Sequence, residues 1–255
     1  MTIRVRVVTP IITQGFRDPA AARLLESEGV AVDFAGIDVG PASIECYYEI
    51  MLAAPATIAR IVEAERQGVD AVVIDCMGDP GLDGARECVT IPVLGPAQTS
   101  MNVAAMLGFR FSVVTVLRRI HPMFRQQAGN YGLAGRLASV RSIDIPVLDL
   151  ERDMPATRRA LVAEAERAVV DDGADAIIFG CTGLFGCADA VRAGLLARGI
   201  DVPVIDPVPT TVGVAAALVR ARLAHSRQAY PPPPPKRIAG FGAIGLGVES
   251  AIAAE

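Results

Sequence analysis

The 255-residue chain is predicted to be an α/β protein of two pseudo-symmetric lobes. Each lobe is a short parallel sheet flanked by helices, with the active site in the cleft between them. Three observations lead there. Apolar β-branched runs alternate with helical patterns along most of the chain, the signature of parallel sheets covered on both faces. Segments of the first half recur in the second at an offset of 105 to 111 residues: Val7-Val8-Thr9 as Val113-Val114-Thr115, Ile37-Asp38 as Ile143-Asp144, and Ile91-Pro92-Val93-Leu94-Gly95-Pro96 as Val202-Pro203-Val204-Ile205-Asp206-Pro207. That period is far longer than a solenoid repeat. Finally, two cysteines close matching runs, Gly68-Val69-Asp70-Ala71-Val72-Val73-Ile74-Asp75-Cys76 and Gly173-Ala174-Asp175-Ala176-Ile177-Ile178-Phe179-Gly180-Cys181. Loops at the carboxyl ends of parallel strands line the ligand crevice, so each half delivers one thiol to a shared cleft.

The elements follow in order. Strands are expected near 3–9, 31–37, 70–75, 91–94, 111–116, 139–144, 176–180 and 202–205, each an apolar run bounded by turn residues. Helices are expected between and after them, near 17–28, 50–67, 81–88, 98–107, 121–132, 155–172, 187–198 and 209–224. Pro10, Pro41, Pro80, Pro146 and Pro207 fall at or between these runs, as punctuation should. The first lobe is assigned residues 1–102 with the returning 208–227, the second 103–207, and a Pro-rich tail 228–255. In that tail Pro231 to Pro235 favour an extended rod. The glycine-rich 238–247 stretch is read as loosely ordered, with docking on a neighbouring subunit as the alternative.

Composition narrows the function classes. A chain of this length buries roughly three quarters of its unfolded surface, enough for one large or two small cores. Apolar residues make up 52% and charged residues 20%, and the net charge is −4 without a basic block, which argues against nucleic acid as the main partner. With neither a charged-then-apolar leader nor an 18-residue apolar span, no membrane association is expected and the cytoplasm is the expected compartment. Five cysteines, an odd number, fit reduced thiols. No CxxC or HxxxH spacing supports a metal site, and none is expected.

The two thiol loops carry the chemistry. Gly78 lets the backbone turn, Asp79 is placed to cap the following helix, and Pro80 suits its first position. A helix start there would aim N–H groups at the Cys76 loop and lower the thiol pKa. The Thr182 hydroxyl and the backbone donors of Met77, Gly78, Thr182 and Gly183 are candidates for holding a substrate oxygen. Thr115 ends the repeated strand and is a candidate ligand donor, while Thr99 and Ser100 open a helix whose N-terminus suits ligand oxygens. Pro207 occupies the corresponding turn of the second half. Removing an acidic α-proton and returning one to the opposite face needs two groups, and Cys76 and Cys181 answer that need as catalytic bases. Cys46, Cys88 and Cys187 are read as small buried apolar residues, Arg86 as a helix-face charge, His121 as a helix cap and His225 as surface.

The stretch Cys76-x-Gly-Asp-Pro-Gly-Leu-x-x-Ala-Arg-Glu resembles the first signature of hydantoin racemases, and Gly180-Cys181-Thr182-Gly183-Leu184 resembles the second. The chain is thus similar, over about residues 1–228, to the aspartate/glutamate/hydantoin racemase superfamily, most of all to its hydantoin branch. The resemblance implies two-thiol proton transfer without a cofactor, a small-molecule substrate of the 5-substituted hydantoin or allantoin type, and a homo-oligomer. Two positions depart from the pattern. The family's Asn-Pro-Asn-Thr is replaced by Thr9-Pro10-Ile11-Ile12, leaving Thr9 and Pro10 as the substrate-side residues of that loop, and Gln98 stands where an acid is common. Amino-acid racemase, malonate decarboxylase and maleate isomerase chemistry on the same fold remain alternatives, as does a non-catalytic binding or redox-sensing protein.

Overall fold

In the computed structural model, which describes residues 2–17, 19–236 and 238–242, the chain forms two four-stranded, fully parallel sheets flanked by helices. The first sheet has the order β2-β1-β3-β4, from β1 (Ile3–Thr9), β2 (Val30–Gly36), β3 (Ala71–Ile74) and β4 (Val93–Leu94). The second repeats it as β6-β5-β7-β8, from β5 (Phe111–Thr115), β6 (Leu137–Ser142), β7 (Ala176–Phe179) and β8 (Val204–Ile205). The central strands are buried on both faces; every residue of β3, β5 and β7 is buried. This explains their continuous apolar runs.

Eight α-helices connect the strands among the described residues: α1 (Pro19–Leu25), α2 (Tyr47–Arg66), α3 (Leu82–Cys88), α4 (Pro96–Leu107), α5 (His121–Asn130), α6 (Met154–Val170), α7 (Ala188–Leu196) and α8 (Pro207–Arg220). Proline stands in the first turn of α4, α5, α6 and α8, where its missing N–H costs nothing. Expected helix starts shift by up to three residues, and two of the shifts bear on the site. Residue 17 lies in a loop, and α1 begins only at Pro19, because the Arg17 side chain is held elsewhere. The third helix begins at Leu82 after a left-handed Gly81, without a side-chain cap. Asp79 caps a different helix.

The lobes exchange helices. Following β4, α4 leaves its own sheet and packs Ala97, Met101 and Ala104 into a core shared with Phe111, Val113 and Ile178 of the second sheet. Following β8, α8 returns the favour, burying Val208, Val212, Ala215 and Ala216 against Val5, Val7, Val73 and Leu94 of the first. The crossing helices join the two sheets so that the carboxyl ends of β1 and β3 confront those of β5 and β7.

The chain beyond α8 folds back on the first lobe. His225 Nε2 accepts the Val93 N–H at 2.7 Å, and Arg227 donates to the Arg86, Glu87 and Val89 carbonyls at the end of α3. His225 is therefore half-buried rather than a surface residue, and burial pushes its pKa down to about 4. Residues 243–247 of the glycine-rich stretch lie outside the described residues. Among the described residues no helix is long and apolar enough to cross a membrane, and no cluster of three His, Cys, Asp or Glu is arranged to hold a metal ion.

Because Met101 on the exchanged helix is fully buried in the other lobe's core, Met101→Ala is expected to destabilise the protein by about 2–4 kcal/mol in urea unfolding.

Candidate active site

The cavity between the sheets is walled by residues from both lobes: Pro10, Cys76, Met77 and Gly78 from the first, Val116, Val147, Cys181 and Thr182 from the second. It is narrow, about 40 Å³, space for a few water molecules. The two cysteines enter it in the same way. Each lies just past the end of a central strand, and each Sγ accepts a backbone N–H from two residues on, Gly78 for Cys76 and Gly183 for Cys181, both at 3.3 Å. Glycine sits in close approach to neighbouring side chains at both places. A Cβ at Gly78 would meet Ile50 at 3.0 Å, and one at Gly183 would meet Leu150 at 3.0 Å and the Cys181 sulfur at 3.3 Å.

A buried ion pair locks these loops together. Arg17, from the loop after β1, donates through Nε and Nη2 to the two carboxylate oxygens of Asp75 at 2.8 and 2.9 Å. Its Nη2 also donates to the Thr182 carbonyl at 2.6 Å. The guanidinium lies about 5 Å from the ring centroids of Phe16 and Phe185, which favours the cation. Thr9 adds a hydroxyl bond to Asp75, and the Thr182 hydroxyl donates to the Asp75 carbonyl, both at 3.1 Å. Asp75 precedes the first thiol and Thr182 follows the second, so one guanidinium positions both.

Each loop is also tied to the N-terminus of a crossing helix by a carboxylate, from opposite ends. In the first lobe Asp79 reaches from the cysteine loop to accept the Ala97 and Gln98 N–H groups of α4, and the Tyr131 hydroxyl at 2.7 Å. A Cβ at Gly95 would sit 2.4 Å from that carboxyl carbon. In the second lobe Asp206, just before α8, reaches back to accept the Gly186 N–H at 2.7 Å. Burial pushes both carboxyls up to about 6. The Asp79 backbone is left-handed, φ +46°, a strained conformation held by these bonds.

Electrostatics differ from the expected lowering of the thiols. Burial pushes Cys181 up to about 11 and Cys76 further still, outweighing the backbone donors. The reason is desolvation by burial, and α3 starts too late to aim its N-terminus at Cys76. The two are not equivalent. Arg17 counteracts the rise at Cys181, whereas Asp79 and Asp75 add to it at Cys76.

Of the residues singled out from sequence, Pro10, Cys76, Met77, Gly78, Cys181 and Thr182 wall the cavity. Thr9, Asp79, Thr99, Ser100, Thr115, Gly183 and Pro207 stand behind the wall. Thr9 and Thr115 each bond the residue preceding a cysteine, Thr115 through the Gly180 carbonyl at 3.0 Å. Thr99, Ser100 and Pro207 are buried in the first turns of α4 and α8. The rest of the wall was not anticipated, including Phe16, Glu45, Cys46 and Asp75. Cys46, read as core, is half-buried at the cavity just before α2, and Cys88 is exposed. Arg86 is a buried cross-link, donating to the Val93 carbonyl and Gln98, rather than a helix-face charge. A pattern reading misses these because their signal is tertiary.

Replacing Arg17 tests the lock. Its side chain is 8% exposed and that of Asp75 fully buried, so Arg17→Met strands a carboxylate in the interior. The expected cost is about 3 kcal/mol in chemical denaturation. Because Arg17 counteracts the rise at Cys181, thiol alkylation of the variant should also require higher pH than in the parent.

Comparison with known proteins places this architecture. The family model described as Asp/Glu/Hydantoin racemase matches residues 9–215. A hydantoin racemase of Pseudomonas sp. (strain NS671) is 40% identical over 222 residues, covering 85% of this chain and 86% of that protein. Among solved structures, an allantoin racemase from Klebsiella pneumoniae superposes with a TM-score of 0.88 at 33% identity, over 95% of this chain and 99% of the other. An allantoin racemase from Pseudomonas fluorescens gives 0.85 at 34%, over 93% and 100%. With more than half its length under the family model and these relatives above 30% identity, the chain belongs to the Asp/Glu/hydantoin racemase family and is an isomerase of the racemase type.

Proposed function

We propose that the protein interconverts the enantiomers of a 5-monosubstituted hydantoin or an allantoin-like ring by proton transfer between Cys76 and Cys181. The observation that carries this reading is the pair of thiols, one from each lobe, walling one narrow cavity with matching backbone donors on each sulfur. The relatives named hydantoin and allantoin racemases support the substrate class.

The asymmetry of the thiols orders the steps. Both thiols are largely protonated near neutral pH, and Cys181, the easier to ionise, more often supplies the reactive thiolate while Cys76 keeps its proton. The Cys181 thiolate removes the α-proton, and the C–H electron pair moves onto the adjacent carbonyl as an enolate. Cys76 then gives its proton to the opposite face, leaving a Cys76 thiolate and a Cys181 thiol; the other enantiomer runs the sequence backwards. The backbone N–H groups of Met77 and Thr182, which have no acceptor in the chain among the described residues, are placed to meet the enolate oxygen. A raised thiol pKa reduces the thiolate fraction but makes each thiolate a stronger base toward carbon.

Proton NMR in D2O tests this with separate enantiomers of several 5-substituted hydantoins, allantoin, aspartate and glutamate. Enzyme-dependent loss of the α-proton signal with decay of optical rotation is expected for the rings. With Cys181 pushed up to about 11, the active thiolate grows as pH rises, so kcat/KM should climb steeply between pH 6 and 8. Exchange of the amino acids alone would defeat the ring assignment.

A further inference from the structure

Glu45 lies in the loop before α2 and is the one acidic wall residue without a cationic partner among the described residues. Asp75, the other carboxylate of the wall, is neutralised by Arg17. One carboxylate oxygen of Glu45 is committed across the lobes, where Oε1 accepts the Val147 N–H at 2.8 Å. Its Oε2 has no donor in the chain among the described residues. The carboxylate acts on the second thiol, since Glu45 is among the charges that raise Cys181.

What surrounds it restricts what it can meet. Ile11, Phe16, Ile44, Ile50, Val116 and Ile120 make much of the wall apolar, and no lysine, arginine or histidine lines it among the described residues. Glu45 is half-buried. When a ligand fills this largely apolar cavity and displaces water from the free oxygen, that oxygen needs an N–H or O–H donor in return, because stripping a charge of water without a partner is costly. A zwitterionic amino acid would satisfy it with its ammonium group but would bring a second carboxylate with no cation to receive it. A neutral ring bearing N–H groups beside the acidic carbon satisfies it completely, through a charge-assisted bond.

We infer that Glu45 is a specificity-determining residue that accepts a ring N–H of the substrate through Oε2 while its bond to Val147 holds the second lobe in register. The assignment rests on the racemase reading above. The bond orients the ring so that its acidic carbon is presented between the two sulfurs, and it excludes ligands that offer only an anion.

Glu45→Gln keeps the size and the acceptor for Val147 but turns the free oxygen into a donor. Binding of 5-benzylhydantoin and of its N1-methyl and N3-methyl derivatives to the parent and the variant is measured by calorimetry, and turnover by α-proton exchange in D2O. The variant should bind the parent ring about tenfold or more weakly, the scale of one charge-assisted hydrogen bond. One methyl derivative should be penalised in the parent protein and not further in the variant. Where turnover persists, the pH profile of kcat/KM should move to lower pH, since an anion that raises Cys181 has been removed. Equal binding of the ring by both proteins, binding by neither, or a methyl penalty of the same size in both would overturn the assignment. Binding lost in the variant while the parent binds without exchanging the α-proton would leave Glu45 in place and defeat the racemase reading instead.

Discussion

The buried Arg17–Asp75 pair sits where the two halves of the molecule have to agree. Each sheet fixes one cysteine against its own lobe, but nothing within a sheet sets the spacing between sulfurs from different sheets. The Arg17 guanidinium does so by holding the carboxylate beside Cys76 and the carbonyl beside Cys181 at once. A planar, always-charged fork suits that task, because it meets a carboxylate with two parallel bonds and keeps a further donor for a third group. Its desolvation is offset by the paired carboxylate and by the Phe16 and Phe185 rings. Together with the exchanged α4 and α8, this pair makes the two lobes one scaffold for the cavity.

The halves have diverged within a shared plan. Both tie the cysteine loop to the N-terminus of a crossing helix with a buried carboxylate, yet Asp79 starts from the loop and Asp206 from the helix. Both place a threonine hydroxyl behind the residue preceding the cysteine, but that residue is Asp75 in one and Gly180 in the other. The consequence is chemical. One lobe carries the Asp75 charge and needs a guanidinium, and that guanidinium counteracts the rise of the other lobe's thiol. Two thiols with matching backbone donors therefore hold their protons with unequal strength.

Much of this was legible in the chain. The strands read clearly because the central ones, covered on both faces, demand continuous apolar runs, and the repeat at a near-constant offset exposed the two lobes and the matched cysteines. What escaped depends on partners distant in sequence. Arg17 reads as the start of a helix until Asp75, 58 residues away, is seen to hold it in a loop. Asp79-Pro80 has the composition of a helix cap, and local spacing cannot show that its carboxylate serves α4 instead. Glu45 and Cys46 belong to no strand-end pattern; only the fold brings them to the cavity. The sign of the thiol shift was missed for a related reason, since motif chemistry shows the nearby donors but not the burial that outweighs them.

The central claim is that Cys76 and Cys181 serve opposite faces of one carbon. Cys76→Ser and Cys181→Ser, each incubated with the separate enantiomers of a hydantoin in D2O, test it most directly. The account predicts that neither variant racemises, and that any residual α-proton exchange is confined to one enantiomer with retained configuration, the opposite enantiomer in the two variants. Racemisation of both enantiomers by either variant at the parental rate would contradict it.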